Sequence, residues 1–282
     1  MHEIAETTPM EATAHADAAA THARRIWAAA YLEWRRRLSV RRWFGATLYA
    51  SLPILLAVAA LALRPEVLGQ SIGARRVFFA AVFEVLIIRI TLFFGCMQIF
   101  LGLFQTEQAE QTLHYAFLAP IRRDALAIGK YLFGVMAAHA LFCVSALTAF
   151  CLLFAPLTSE DSLAVDARHA FAYLSIVSLA CIGYGAVFLL VGTVFRNPSL
   201  PIGAFIAWEW GNVFLPPLLK RLSVAYYLNS LLPVPLPTDM LAMAADPPPT
   251  ATSVVSVLLL AAVAVGAAAL YVRRMEIRYH AD

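Results

Sequence analysis

The chain has 282 residues, of which 61% are hydrophobic and 14% charged, with a formal net charge of +3 and a mean hydropathy of +0.74. Soluble domains carry about 25% charged residues, so this composition excludes an ordinary soluble domain and points to a membrane protein. Apolar runs of about 20 residues or more fall at 43–63, 77–104, 128–155, 169–195, 199–217 and 252–272, each enough for a membrane-crossing helix. The expected fold is therefore all-α: a polytopic membrane protein with six transmembrane helices in a single domain over 43–272.

Residues 1–21, rich in Ala, Thr and Glu, have neither a basic start nor an apolar centre. They read as a disordered cytoplasmic tail rather than a signal peptide. Residues 22–42 read as a basic amphipathic helix: Trp27, Tyr31, Trp34 and Leu38 recur at steps of four, three and four, among seven arginines. Such a helix lies in the headgroup plane of membrane lipid, aromatics at the acyl boundary and arginines on anionic heads. Next to a span, those arginines point away from nucleic acid as a partner.

Three charged residues lie deep within the apolar runs: Glu84 and Arg89 in the second, Glu209 in the fifth between Trp208 and Trp210. A charge near the bilayer centre costs at least ~2.5–3.5 kcal/mol, so each needs a partner or a wet cavity. On a straight α-helix a separation of five residues turns Glu84 and Arg89 about 140° apart. Arg89 and Glu209 share a mid-span depth, which makes them the expected pair; Glu84 on a nearby turn or a second protomer is the alternative partner. His139, midway along the third run, reads as a hydrogen-bonded core residue, and Gly183 and Gly185 as points of close helix approach. The four cysteines, Cys96, Cys143, Cys151 and Cys181, all fall inside runs and read as packed core thiols. No cluster has metal-ligand spacing, and no nucleophile–base arrangement is visible.

Between the second and third runs lies the most polar internal stretch, "EQAEQTLHYAFLAPIRRDALAIGKY". Thr106 reads as a helix N-cap, with Glu107 and Glu110 in the first turn. Leu113 and Phe117 form a ridge one turn apart, Pro120 ends the helix, and Asp124 can cap the third span. Residues 216–251 form an outer segment between runs five and six. Eight of the chain's fifteen prolines fall within 216–249. Its apolar character favours a partly re-entrant structure over a floppy loop. With the N-terminus inside, fourteen of the 21 Lys and Arg lie on the inner side and six on the outer. Both termini, including the tail 273–282, are then expected to be cytoplasmic.

The 107–130 stretch resembles the cytosolic loop of ABC-2 type transporter permeases, the membrane subunits of ABC exporters. Glu107, Thr112, Leu113, Pro120, Arg123, Gly129 and Lys130 match that family's pattern in register, while Gln111 and His114 depart from it. The order of elements also fits over about residues 22–280. The resemblance implies a coupling helix at 106–120 that docks on a separate nucleotide-binding ATPase subunit through Glu107, Glu110, Thr112, Leu113, Phe117, Pro120 and Arg123. It further implies a second permease subunit, identical or related, a bacterial inner-membrane location, and export driven by ATP and magnesium held on the ATPase. This chain has no G-x-x-x-x-G-K-[ST] loop, so it is not itself expected to be an enzyme or to bind a cofactor. Two rivals remain: an ion-coupled secondary transporter using Glu84, Arg89 and Glu209, and an ABC-like permease in a non-transporting membrane complex.

Overall fold

The computed structural model describes residues 24, 26–31, 33, 40–63, 72–109, 122–154, 160–195, 197–211, 216–234 and 248–274. Among these residues every regular element is helical. We number them α1 (Val40–Leu63), α2 (Ile72–Val82), π1 (Phe83–Leu92), α3 (Phe93–Ala109), α4 (Arg123–Phe154), α5 (Glu160–Val194), α6 (Ser199–Trp210), α7 (Pro217–Lys220), α8 (Val224–Asn229) and α9 (Thr250–Arg274). Residues 26–31, ahead of α1, are also helical.

Five of these helices are long and apolar enough to cross a membrane: Trp43–Leu63, Ile72–Glu107, Arg123–Phe154, Ala164–Val194 and Thr250–Arg274. The molecule is thus an all-α polytopic membrane protein. The second of these, 36 residues long, combines α2, π1 and α3. At 1.5 Å per residue it runs about 54 Å, well beyond a hydrocarbon core about 30 Å thick. Its ends therefore reach polar surroundings, and ion pairs gather there.

The fifth apolar run behaves differently. It reads as a continuous span over 199–217, but α6 stops after 12 residues at Trp210. Twelve residues rise about 18 Å, too little to cross as one helix. Beyond it, α7 and α8 are short pieces of four and six residues, and α8 is swallowed by the bundle: Ser223, Val224, Ala225 and Leu228 are all buried. Apolar composition registers burial equally for a continuous helix and for a broken segment covered by protein. Residues 223–228 pack largely against the bundle, while Leu219, Arg221 and Leu222 are exposed; residues 235–247 lie outside the described part.

The core gathers around α5, which packs against α9, α3 and α4. Glycines set the closest approaches. A Cβ on Gly185 would collide with the Phe100 ring, and one on Gly183 would meet Val257 Cγ1 at 2.8 Å and Val224 Cγ1 at 3.2 Å. Aromatic edges fill the remaining space: Phe79 packs edge-on to Phe150 and Tyr173, with centroids 5.2 and 4.9 Å away, and Phe93 packs edge-on to Tyr184 and Phe188. In lipid there is no hydrophobic drive between helices, so this interlocking supplies much of the association energy.

At one end of the bundle Arg76 Nη2 donates to Asp166 Oδ1 at 2.7 Å, joining the start of α2 to the start of α5. The opposite end carries Glu107, in the last turn of α3, and Lys130, at the end of the second turn of α4. That alternation matches helices that run up and down across a membrane.

Candidate functional site

Two polar networks stand out in the apolar bundle. The first surrounds Lys130, whose side chain is completely buried. Its Nζ donates to Glu107 Oε1 at 2.7 Å and Leu103 O at 2.9 Å, and pairs with Glu33 Oε1 at 2.8 Å. It also sits 5.0 Å from the centroid of the Phe104 ring, on the cation-attracting face. A buried ammonium is tolerable only with its hydrogens satisfied and its charge countered; the three oxygens satisfy the hydrogens, and the two carboxylates more than counter the charge.

Each of these groups arrives on a different element. Glu107 comes from the last turns of α3, Lys130 from the second turn of α4, and Glu33 from the helical segment ahead of α1. Gly129 makes the third approach possible. A Cβ there would lie 2.6 Å from Ala29 Cβ and 2.9 Å from the Ile26 carbonyl oxygen, so the N-terminal helix rests directly on the glycine. Ala29 and Ala30 are buried against the bundle while Trp27 and Tyr31 are 61% and 56% exposed. Of the expected aromatic stripe, Trp27 and Tyr31 share this exposed side; Trp34 and Leu38 lie outside the described residues.

This cluster revises two local readings. Thr106 does not start a helix: it lies inside α3, and its Oγ1 donates back to Gly102 O at 2.8 Å. Helix α3 runs through it to Ala109, because Glu107 gains a buried lysine by staying helical. Asp124 is in the first turn of α4, where a carboxylate suits the helix dipole, and is paired with Arg122 at 3.1 Å. Arg123 is exposed at the start of α4. Glu110, Thr112, Leu113, Phe117 and Pro120 lie outside the described residues.

The second network lies at mid-depth. Glu84 and Arg89 both sit on π1, and their side chains pair at 3.7 Å. That corrects the straight-helix expectation, and the helix type is the reason. A π-helix bonds i to i+5 and turns once in roughly 4.4 residues, which leaves residues five apart only about 50° from each other. Glu84 Oε1 also accepts from Asn229 Nδ2 at 3.0 Å, tying π1 to the end of α8.

Glu209, the last residue but one of α6, is 2% exposed and serves a different purpose from the ion pair expected of it. Its carboxylate accepts from Ser223 Oγ at 2.8 Å, Val224 N at 2.9 Å and Ala225 N at 3.1 Å. These backbone groups are the unsatisfied donors at the N-terminus of α8, so Glu209 closes the gap between two broken helices. Arg89 and Tyr184 lie within electrostatic reach of it. Arg89 nevertheless makes its direct ion pair with Glu84.

His139 is hydrogen-bonded, to Ser178 across α4 and α5 at 3.0 Å, but it is exposed on the outside of the bundle rather than in its core. Of the cysteines, Cys96 and Cys181 are buried, Cys143 is half-buried and Cys151 is exposed. Cys151 thus departs from the packed-core expectation, while Cys143 packs against the edge of the core. Hydropathy cannot distinguish a lipid-facing position from an internal one, since both are apolar.

Sequence reasoning passed over Glu33 and gave Lys130 no partner. A signal for Glu33 was present: it is the one acidic residue of 22–42, on the side of the helix away from the aromatic stripe. Compared with models of protein families and with curated proteins, the chain matches none.

Proposed function

We propose that this chain is the permease subunit of an ABC-2 type exporter, a six-span half-transporter in a bacterial inner membrane. Two such units pair with two ATPase subunits, and both termini of each unit are cytoplasmic. The remaining crossing, fifth in chain order, is the composite of α6, α7 and α8, broken after Trp210 and bridged by Glu209. The sequence pattern from Glu107 to Lys130 carries the family reading. The observation that best supports its mechanical side is the Lys130 cluster.

ATP-driven closure needs a stiff handle on the membrane domain. Lys130 and Glu107 flank segment 110–121 and bind each other, so a push on that segment reaches α3 and α4 together. Glu33 brings the N-terminal helix into the same clamp. Movement of one element past another is a standard way to convert such a push into a switch of access. The partly exposed Glu84–Arg89 pair would then lie on the path the bundle opens.

The test is the double variant Leu113→Asp with Pro120→Ala. It puts a carboxylate where the ridge enters the ATPase groove, at a cost of a few kcal/mol. Co-purification of the ATPase is expected to fall while the permease stays monodisperse. Normal assembly and transport in this variant would rule out 107–120 as the coupling element. Orientation is read separately: a cysteine at Gln108 should take impermeant maleimide only from the cytoplasmic side, and one at Asp246 only from outside. Labelling of both from one side would break the six-span arrangement.

The secondary-transporter reading draws on one observation, the partly exposed ion pair on a π-helix. It predicts substrate movement driven by an ion gradient without any ATPase. Transport by the isolated chain in liposomes would favour it over the exporter.

A further inference from the structure

At the end of the bundle opposite Lys130, a cavity of about 640 Å³ opens between α5 and the chain that follows α8. Val165, Arg168, His169 and Ala172 supply one wall, and Leu231 and Pro233 the other. The four α5 residues fall within about 100° around the helix, so they form one stripe. The size is that of a small-ligand site, with mostly hydrocarbon walls. Only the side chains of Arg168 and His169 bring N–H donors to it.

Depth decides what can reach this cavity. Helix α5 is 35 residues long, about 52 Å, against a hydrocarbon core about 30 Å thick. The surplus, shared between the two ends, carries roughly seven residues of each beyond the core. Arg168 and His169 fall just past that point, at the hydrocarbon boundary, from which an arginine's long stem reaches the lipid phosphates. One turn deeper, on the side of Arg168, Phe171 is 76% exposed. The surface therefore passes from cationic to apolar in the same direction as a lipid does.

The charge at the mouth stays positive after pairing. Asp166 is taken up by Arg76 at 2.7 Å. Arg168 makes no ion pair among the described residues. Arg76, Asp166 and Arg168 are the charged groups within electrostatic reach of His169, and together they leave one positive charge.

We propose that this groove seats an anionic phospholipid, its phosphate on Arg168 and His169 and an acyl chain along Ala172 and Phe171. The phosphate oxygens accept from the guanidinium and from an imidazole N–H, and such charge-assisted bonds strengthen at the edge of hydrocarbon. A free anion would use the arginine but leave the apolar walls in water. A zwitterionic lipid would bring its own ammonium to a cationic rim. The site does not depend on the exporter reading.

The experiment uses the full chain in detergent, supplemented with dioleoylphosphatidylglycerol or dioleoylphosphatidylcholine. The readout is local: modification of His169 by diethyl pyrocarbonate, mapped by peptide mass. Phosphatidylglycerol should protect His169 at a concentration at least ~10-fold lower than phosphatidylcholine, which is what one charge-assisted bond is worth. His139, exposed at mid-depth on α4, should react alike in both. Arg168→Gln, which removes the charge, and Ala172→Trp, which fills the groove, should each abolish the preference. The comparison of the two lipids on the unmodified chain needs no variant to fold. Equal protection by both lipids would reduce the groove to an apolar crevice and overturn the proposal. Protection by inorganic phosphate at the same concentration would mark a soluble-anion site and overturn it too, as would an unprotected His169.

Discussion

The two polar networks are built for opposite behaviour. Around Lys130 an ammonium is fully enclosed and meets three oxygens at 2.7–2.9 Å, drawn from three separate elements. Around Arg89 the ion pair is 3.7 Å long, with side chains 17% and 25% exposed, on the one stretch of helix wound as π among the described residues. The first arrangement has a single good geometry and resists displacement. The second is loose, and its helix can change register at the cost of exchanging i+5 for i+4 hydrogen bonds. The exporter proposed above would need one fixed joint and one yielding one, and the two networks lie at different depths of the bundle.

The comparison can be broken most forcefully at the fixed joint. Lys130→Met strands Glu107 and Glu33 as buried carboxylates, and breaking a buried pair costs about 3–5 kcal/mol. Thermal unfolding in detergent should show it as the largest loss among single substitutions in either network. Glu209→Ala comes next. It removes the acceptor from Ser223 and from two backbone N–H groups of α8 while leaving them buried. Capping bonds to a charged group are worth roughly 1.5–3 kcal/mol, so unfolding should shift by about that amount. Hydrogen exchange at Val224 and Ala225 should rise with it.

Gly129→Ala sharpens the same contrast from the side of packing. The new methyl would press on Ala29 and Ile26, which overpacking data price at about 1–3 kcal/mol. If the N-terminal helix is part of the joint, limited proteolysis near residues 24–33 should speed up while the bundle core stays protected. The smallest effect is expected at the yielding joint: Glu84→Gln keeps an acceptor for Asn229 and removes only a long, partly exposed pair. Stability should change by no more than about 1 kcal/mol. A large loss there would mean the π-helix pair is as structural as the Lys130 cluster, and the division into two kinds of joint would fail.

How much of this was legible in the sequence follows from what each signal encodes. Five long helices were legible, because 20 or more apolar residues have few other ways to be buried. The break after Trp210 was not, since apolar composition continues across it and Gly211 alone is a weak stop. The Glu84–Arg89 pairing was missed because α-helical periodicity was assumed, and π-winding has no residue signature as plain as a proline kink. Glu209 was rightly singled out as a charge needing a partner. That its partner would be a helix N-terminus depends on where α8 ends up in space, which no local pattern reports. Lys130 was noticed as a motif position, but its burial depends on Glu33, nearly a hundred residues away in the chain.

The central claim is that Lys130, Glu107 and Glu33 act as one closed joint, and a mutant cycle tests it most directly. Lys130→Met, Glu107→Gln with Glu33→Gln, and all three together should be compared by equilibrium or thermal unfolding in the same detergent. A closed joint predicts that the triple variant strands no charge and is more stable than the summed losses of its parts by at least about 2 kcal/mol. Losses that simply add would contradict it, showing that Lys130 and the two carboxylates stabilise the bundle independently of one another.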